Sequence, residues 1–192
     1  VVPITTRDDR PLLGQGQTPV MTMQQMGGTR KTVDKAERWV ESLLDVANAA
    51  RRSTVDAKHL SIAMECGGSD GYSGITANPA VGVVADRVVA CGGKAVLSET
   101  TELYGAEHLL VERSRSPEVA HRLLERIEWW KQHVAMYGSQ IDNNPSVGNK
   151  AGGLTTITEK SLGAVSKSGS TALEAVYHYA ELIDTPGLGV MD

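Results

Sequence analysis

Between Cys66 and Pro79 the chain reads Cys-Gly-Gly-Ser-Asp-Gly-Tyr-Ser-Gly-Ile-Thr-Ala-Asn-Pro. Gly67, Gly68, Gly71 and Gly74 allow backbone angles and close approaches that a Cβ would forbid. Cys66, Ser69, Asp70, Tyr72, Ser73 and Thr76 between them offer donors, acceptors or metal ligands, more chemistry than a purely structural loop needs. Two other stretches have a related character: Gly27-Gly28-Thr29-Arg30, and Glu99 with Glu102. Glycine loops that feed helix N-termini present backbone N–H groups and the positive end of a dipole, which suits phosphate or carboxylate, and Arg30, Lys31 and Lys150 could add charge. No Walker sequence and no G-x-G-x-x-G opens a helix, so a nucleotide reading lacks its motif. Each feature also has a plain structural reading: Gly27-Gly28 as a tight turn, Glu99 as a helix cap, Cys91 as a core residue at a helix end. His59, His108, His121, His133 and His178 share no ligand spacing.

The elements that must position these groups follow from hydrophobic period and caps. Residues 1–17, with Pro3, Pro11, Gly14 and Gly16, read as a lead-in or linker and as neither strand nor helix. A short strand is expected over Pro19–Met23, then a helix whose apolar stripe runs Val33, Ala36, Trp39, Val40, Leu43, Leu44, Ala47 and Ala50, a face that asks for a sheet to pack on. His59–Met64 alternates as a strand; Asn78 and Pro79 are the expected N-cap and first turn of a helix to Ala90, stopped by Gly92-Gly93. A third strand, Ala95–Leu97, ends at Ser98-Glu99-Thr100-Thr101-Glu102, which can cap a short helix through Leu110. Ser116-Pro117-Glu118 opens a long helix that Gly138 closes, with Val119, Leu123, Ile127, Trp130 and Val134 on its buried face, and the Trp129-Trp130 pair reads as packing. After a polar loop over Asp142–Gly153, Thr156 to Glu159 has capping-box spacing for a helix through Leu162; Ser166–Ser170 is another polar loop, and Leu173–Leu182 is predicted helical. Strand and helix alternate, so the expected fold is α/β: a mainly parallel sheet of strand-loop-helix units with flanking helices, Rossmann-like and three-layered. Ligands of such sheets bind at the carboxyl ends of the strands, where the three candidate stretches fall.

Composition narrows the partners. At 192 residues and a net charge of −4 the chain can bury a core and carries no basic stripe, so nucleic acid is not expected as a partner. No apolar run approaches a membrane span and no leader opens the chain, so no membrane partner is expected and a cytoplasmic setting is, in keeping with two cysteines that form neither a disulfide framework nor a zinc pair.

The motifs resemble the altronate dehydratase/galactarate dehydratase family of sugar-acid hydro-lyases. The resemblance is carried by Cys66–Pro79, by Pro145-Ser146-Val147-Gly148-Asn149-Lys150-Ala151-Gly152-Gly153, by Glu159-Lys160-Ser161-Leu162-Gly163, by Gly27–Thr32 and by Ser98–Gly105. It implies a second, central domain over residues 18–192 of a longer enzyme whose N-terminal β-rich module and C-terminal segment are not in this chain. It also implies dehydration of a sugar acid such as galactarate or altronate to a 2-keto-3-deoxy acid, with Fe2+ or another divalent metal, and relatives that eliminate sulfite from sulfolactate. A small-molecule sugar acid is then the partner, and homo-oligomers are compatible. That chemistry needs a base for the α-proton, a cation or donors for the developing enediolate, and an acid or metal for the leaving hydroxide. On residue type, Asp70, Glu99 and Lys150 are the catalytic candidates and Cys66 and Glu102 the metal candidates. Gly28, Thr29, Arg30, Gly67, Gly68, Ser69, Ser73, Thr76, Asn78 and Asn149 are the candidates for substrate binding, with Arg30 and Lys150 as carboxylate clamps.

Overall fold

A computed structural model describes residues 4–5 and 20–192, so most of the expected lead-in lies outside the described residues. The chain divides into two compact units, Val1–Thr54 and Val55–Asp192. In the first, β1 (Ile4–Thr5) pairs in parallel with β2 (Met21–Thr22), where the sequence suggested neither strand nor helix over the lead-in. β2 runs into α1 (Met23–Met26), closed by Gly27 at φ 86°, and α2 (Thr29–Ala49) follows. Among the described residues, its own unit does not cover the expected apolar face of α2: Thr32 is buried, and Val33, Val40, Leu43 and Leu44 are exposed. The reason is size. A helix of 21 residues is about 30 Å long, and the sheet of its own unit has strands of two residues.

The second unit opens with a 3-10 turn (Ala57–His59) and β3 (Ser61–Met64). α3 (Ala77–Ala90) follows and ends in a Schellman arrangement: Gly92, at φ 79°, returns its N–H to Val89 O and Gly93 to Val88 O. β4 (Lys94–Leu97) is buried at Ala95, Val96 and Leu97, as a central parallel strand covered on both faces must be. Beyond it come a 3-10 turn (Thr100–Leu103), α4 (His108–Val111) and α5 (Pro117–Ala135), where Ser116 caps Val119 N and Leu123 and Ile127 are buried as expected. α6 (Val147–Ala151) and α7 (Ile157–Ser166) precede β5 (Leu173–Tyr177) and β6 (Gly187–Met191). All four strands of the sheet are parallel, in the order β3-β4-β6-β5, with flanking helices: an α/β fold of the expected kind.

Two expectations near the C-terminus are overturned. Leu173–Leu182 is not a helix: its first five residues are edge strand β5. A register irregularity between Leu173 and Ala175 inserts an extra residue, so the buried positions fall at Leu173, Val176 and Tyr177, the i, i+3, i+4 spacing of a helix. The chain also finishes in a strand where none was expected, and β6 lies inside the sheet between β4 and β5. Its glycines disguised it. At Gly187, φ 114°, a Cβ would meet Glu174 Cγ at 2.5 Å, and at Gly189 one would meet the Tyr177 ring at 2.9 Å. Asp192 is held to α5 by Trp130 Nε1 (3.1 Å) and Arg126 Nη1 (3.4 Å).

α7 runs to Ser166, past the expected stop at Leu162, because Gly163 is a contact residue inside the helix and not a terminator. A Cβ there would lie 3.1 Å from Gly74 Cα. Gly74, Asn78, Gly82 and Asp86, four apart, form the stripe along which α3 and the loop before it meet α7 and the following turn. Asn78 Nδ2 donates to Gly163 O at 2.9 Å, and Asp86 accepts from Ser170 N, Ser170 Oγ and Thr171 N.

Candidate functional site

Parallel pairing of β3 with β4 brings Cys66 and Glu99 together just beyond the strand ends, and Ser98 N closes on Met64 O at 3.0 Å. Glu99 does not cap the turn that follows it, which is 3-10 and lacks a side-chain cap; its Oε2 accepts the N–H of Cys66. Glu102, on that turn, is buried at 9% exposure. Its Oε1 accepts from Lys160 Nζ and from Asn144 Nδ2, both at 2.9 Å, and Lys160 Nζ also donates to Asn144 Oδ1 at 3.0 Å. Its Oε2 is buried with no hydrogen-bond partner among the described residues. From the far end of α7, Lys167 Nζ reaches Cys66 Sγ at 2.7 Å. Cys66, Glu99, Glu102 and Lys167 enclose, with Met64, Leu97, Leu103 and Ala164, a cavity of about 10 Å³, on the order of one water molecule.

Burial pushes the Cys66 thiol up from its ordinary value; Lys167 opposes that through its hydrogen bond and charge, and Glu102 and Glu99 add to it. Cys66 is therefore a thiol at neutral pH. Since Lys167 lowers this pKa, Lys167→Met in a Cys91→Ser background should move the midpoint of Cys66 alkylation with iodoacetamide to higher pH. An unmoved midpoint would contradict the contact.

The glycine loop is anchored largely on itself and on α6. Asp70 Oδ1 accepts from Tyr72 N (2.8 Å), Ser73 N (3.0 Å) and Ser73 Oγ (3.2 Å), and the Tyr72 and Ser73 N–H bonds hold its carboxyl below the usual carboxylate range. Asp70 is thus a weakened base. Thr76 Oγ1 donates to Tyr72 O, and Thr76, not Asn78, is the N-cap residue of α3, making no side-chain cap bond. The capping role expected of Asn78 gives way to its bond to Gly163 across the α3–α7 contact. Asn149 is buried, forms a capping box with Ser146, and donates from Nδ2 to Ser69 O at 2.9 Å. Gly71 N donates to Gly152 O at 2.9 Å, so the Pro145–Gly153 motif docks on the Cys66–Pro79 motif.

Beside this cluster lies an open cleft of about 400 Å³, walled by Ser69, Asp70, Ser73 and Asn78 on one side and by Thr156, Thr158, Glu159 and Lys160 of α7 and its cap on the other. Lys160 joins the two spaces, lining the cleft and reaching Glu102 on the small cavity. Of the expected site residues, Cys66, Glu99 and Glu102 come together, as do Ser69, Asp70, Ser73 and Asn78. Gly67, Gly68, Thr76 and Lys150 are exposed and are not among the residues lining the cleft. Gly28, Thr29 and Arg30 belong to the first unit. Lys160, Lys167 and Asn144 escaped the residue-by-residue reading. One signal was available: on α7, Lys160 falls on the stripe Ile157, Lys160, Ser161, Ala164, Val165, which is otherwise apolar or small, and a lysine there must find a buried partner.

A parallel α/β sheet with thiol, carboxylate and ammonium groups at its carboxyl edge, beside a hydroxyl-lined cleft, is the architecture of a small-molecule site. Residues 57–192 match the family described as D-galactarate/Altronate dehydratase, C-terminal, and the chain belongs to that family. It is 39% identical over 166 residues to altronate dehydratase of Bacillus subtilis (strain 168), covering 85% of this chain and 33% of that protein. It is 43% identical over 149 residues to galactarate dehydratase (L-threo-forming) of Escherichia coli (strain K12), covering 78% and 28%. Identity to the (2R)-sulfolactate sulfo-lyase subunit beta of Chromohalobacter salexigens is 33% over 171 residues, 88% of this chain and 44% of that subunit. The chain thus spans about a third of the length of these dehydratases. Among the described residues no helix is long and apolar enough to cross a membrane.

The divalent ion that the resemblance implies does not fit the donors described here. Among the described residues no three His, Cys, Asp or Glu side chains gather as a ligand set. Cys66 is held by Lys167, and Glu102 Oε1 by Lys160 and Asn144.

Proposed function

We propose that this chain is a domain of a cytoplasmic hydro-lyase that removes water from galactarate or altronate to give a 2-keto-3-deoxy acid. The observation that carries the reading is the joining of the cleft to the Cys66-Glu99-Glu102 cluster by Lys160, within a chain of this family. Ser69, Ser73 and Asn78 offer the cleft the hydroxyl and amide groups that a polyol needs, and Lys160 brings a cation. Glu99 is the carboxylate assigned to the α-proton, because Asp70 is stabilised as an anion by its own loop. Iron(II) or another divalent ion is proposed on the family resemblance alone.

In the full-length enzyme, Glu99→Gln is expected to abolish release of the keto acid, and Asp70→Asn to reduce it by loosening the Tyr72-Ser73 turn. Full activity in both variants would end the assignment. Anaerobic calorimetry of the 192-residue chain with galactarate and with altronate, with and without iron(II), ranks the substrates and the metal; silence from a folded chain would favour a domain that completes a site only with other segments. The similarity to a sulfo-lyase subunit supports a second reading, C–S elimination, and sulfite in place of water among the products separates the two.

A further inference from the structure

The ionisable side chains lining the cleft, among the described residues, are Asp70, Glu159 and Lys160. Both carboxyls are turned to local donors, Asp70 to Tyr72 and Ser73 and Glu159 to the Thr155 hydroxyl and N–H, and neither holds a proton to give at neutral pH. Lys160 differs. It is 8% exposed, and Glu102 Oε1 and Asn144 Oδ1 fix its Nζ at 2.9 and 3.0 Å. An ammonium has three N–H donors, so the two bonds it makes among the described residues leave a third, on a residue that lines the cleft. A lysine immobilised by a buried carboxylate, with one donor left over, is arranged to act on a substrate at a set place.

We propose that Lys160 is the general acid of this site, giving its proton to the leaving hydroxyl of the sugar acid, with Glu102 and Asn144 as its positioning residues. The inference rests on the hydro-lyase reading above. The base takes the proton from the carbon beside the carboxylate, and that electron pair forms the carbon–carbon double bond. The bond from the β-carbon to oxygen breaks, and the Lys160 proton joins the departing hydroxyl to leave water. The enol becomes the 2-keto-3-deoxy acid by tautomerisation, and Lys160, left as the amine, recovers a proton from solvent.

The test uses the full-length enzyme and a leaving group that needs no acid. The substrate is compared with its 3-deoxy-3-fluoro analogue in wild type, in Lys160→Met, and in Lys160→Met/Glu102→Gln, which removes the unpaired buried charge should the single variant fail to fold. Circular dichroism establishes folding in each case. Loss of a general acid lowers rates by roughly 10²–10⁴-fold. That fall is expected in kcat for water elimination in both variants, with kcat for fluoride release kept within about tenfold of wild type at saturating substrate, whatever happens to KM. Equal losses for water and fluoride would make Lys160 merely structural and overturn the acid role while leaving the hydro-lyase intact. Unimpaired water loss would overturn it as well. A wild-type enzyme that eliminates from neither compound would defeat the hydro-lyase reading and the acid with it.

Discussion

Replacing Lys160 with methionine is expected to destabilise the 192-residue chain by about 3–5 kcal/mol, the usual penalty for removing one partner of a buried ion pair. The side chains of Lys160 and Glu102 are 8% and 11% exposed, and Glu102 Oε2 already lacks a partner among the described residues. Without the ammonium, a carboxylate would stay buried with the Asn144 amide as its remaining described donor. Glu102→Gln on top of Lys160→Met removes the charge and should recover most of the loss. Urea unfolding of wild type, both single variants and the double variant gives the complete cycle. A single variant within about 1 kcal/mol of wild type would mean that the pair is solvated and that Lys160 is not held as described.

Gly82→Ala has the second large effect, and it comes from backbone contact alone. A Cβ on Gly82 would fall inside van der Waals contact with Ser166 O and about 3.0 Å from Gly169 N. Both are backbone atoms, the first of the last residue of α7 and the second of the turn after it, and Arg113 also holds that turn through Gly169 O and Thr171 O at 2.9 and 2.7 Å. Neither can yield cheaply, so α3 must move away from α7. Overpacking typically costs ~1–3 kcal/mol and at times more, against a gain of ~1 kcal/mol in helix propensity. A net loss of about 2 kcal/mol or more in urea unfolding is expected, and an unchanged midpoint would show that the helices can separate freely. Gly163→Ala meets Gly74 Cα at 3.1 Å and should cost less.

These two substitutions also separate what could be read from the chain and what could not. The Cys66–Pro79 loop, the strands on either side of α3, and the Ser116-Pro117 opening of α5 were legible because period, caps and turn residues act over a few positions. The glycines of Cys66–Pro79 looked like ligand-approach residues, yet Gly74 also makes helix contact, and a glycine in a sequence looks the same in either role. β5 and β6 were missed because a bulge gave one a helical spacing and glycines broke the pattern of the other.

By itself, then, the sequence determined the α/β class, the family, and a chemistry concentrated at strand ends, since these are written in local pattern and in motif. Tertiary structure alone decided which charges meet. Lys160 lies 58 residues from Glu102, and Lys167 lies 101 residues from Cys66. Such pairs come together only when β6 enters the sheet between β4 and β5 and α7 packs on α3, contacts set by burial and sheet order. No pattern over neighbouring residues carries that information, because removing such charges from water is costly and only the partner that the packed unit places beside each one offsets that cost.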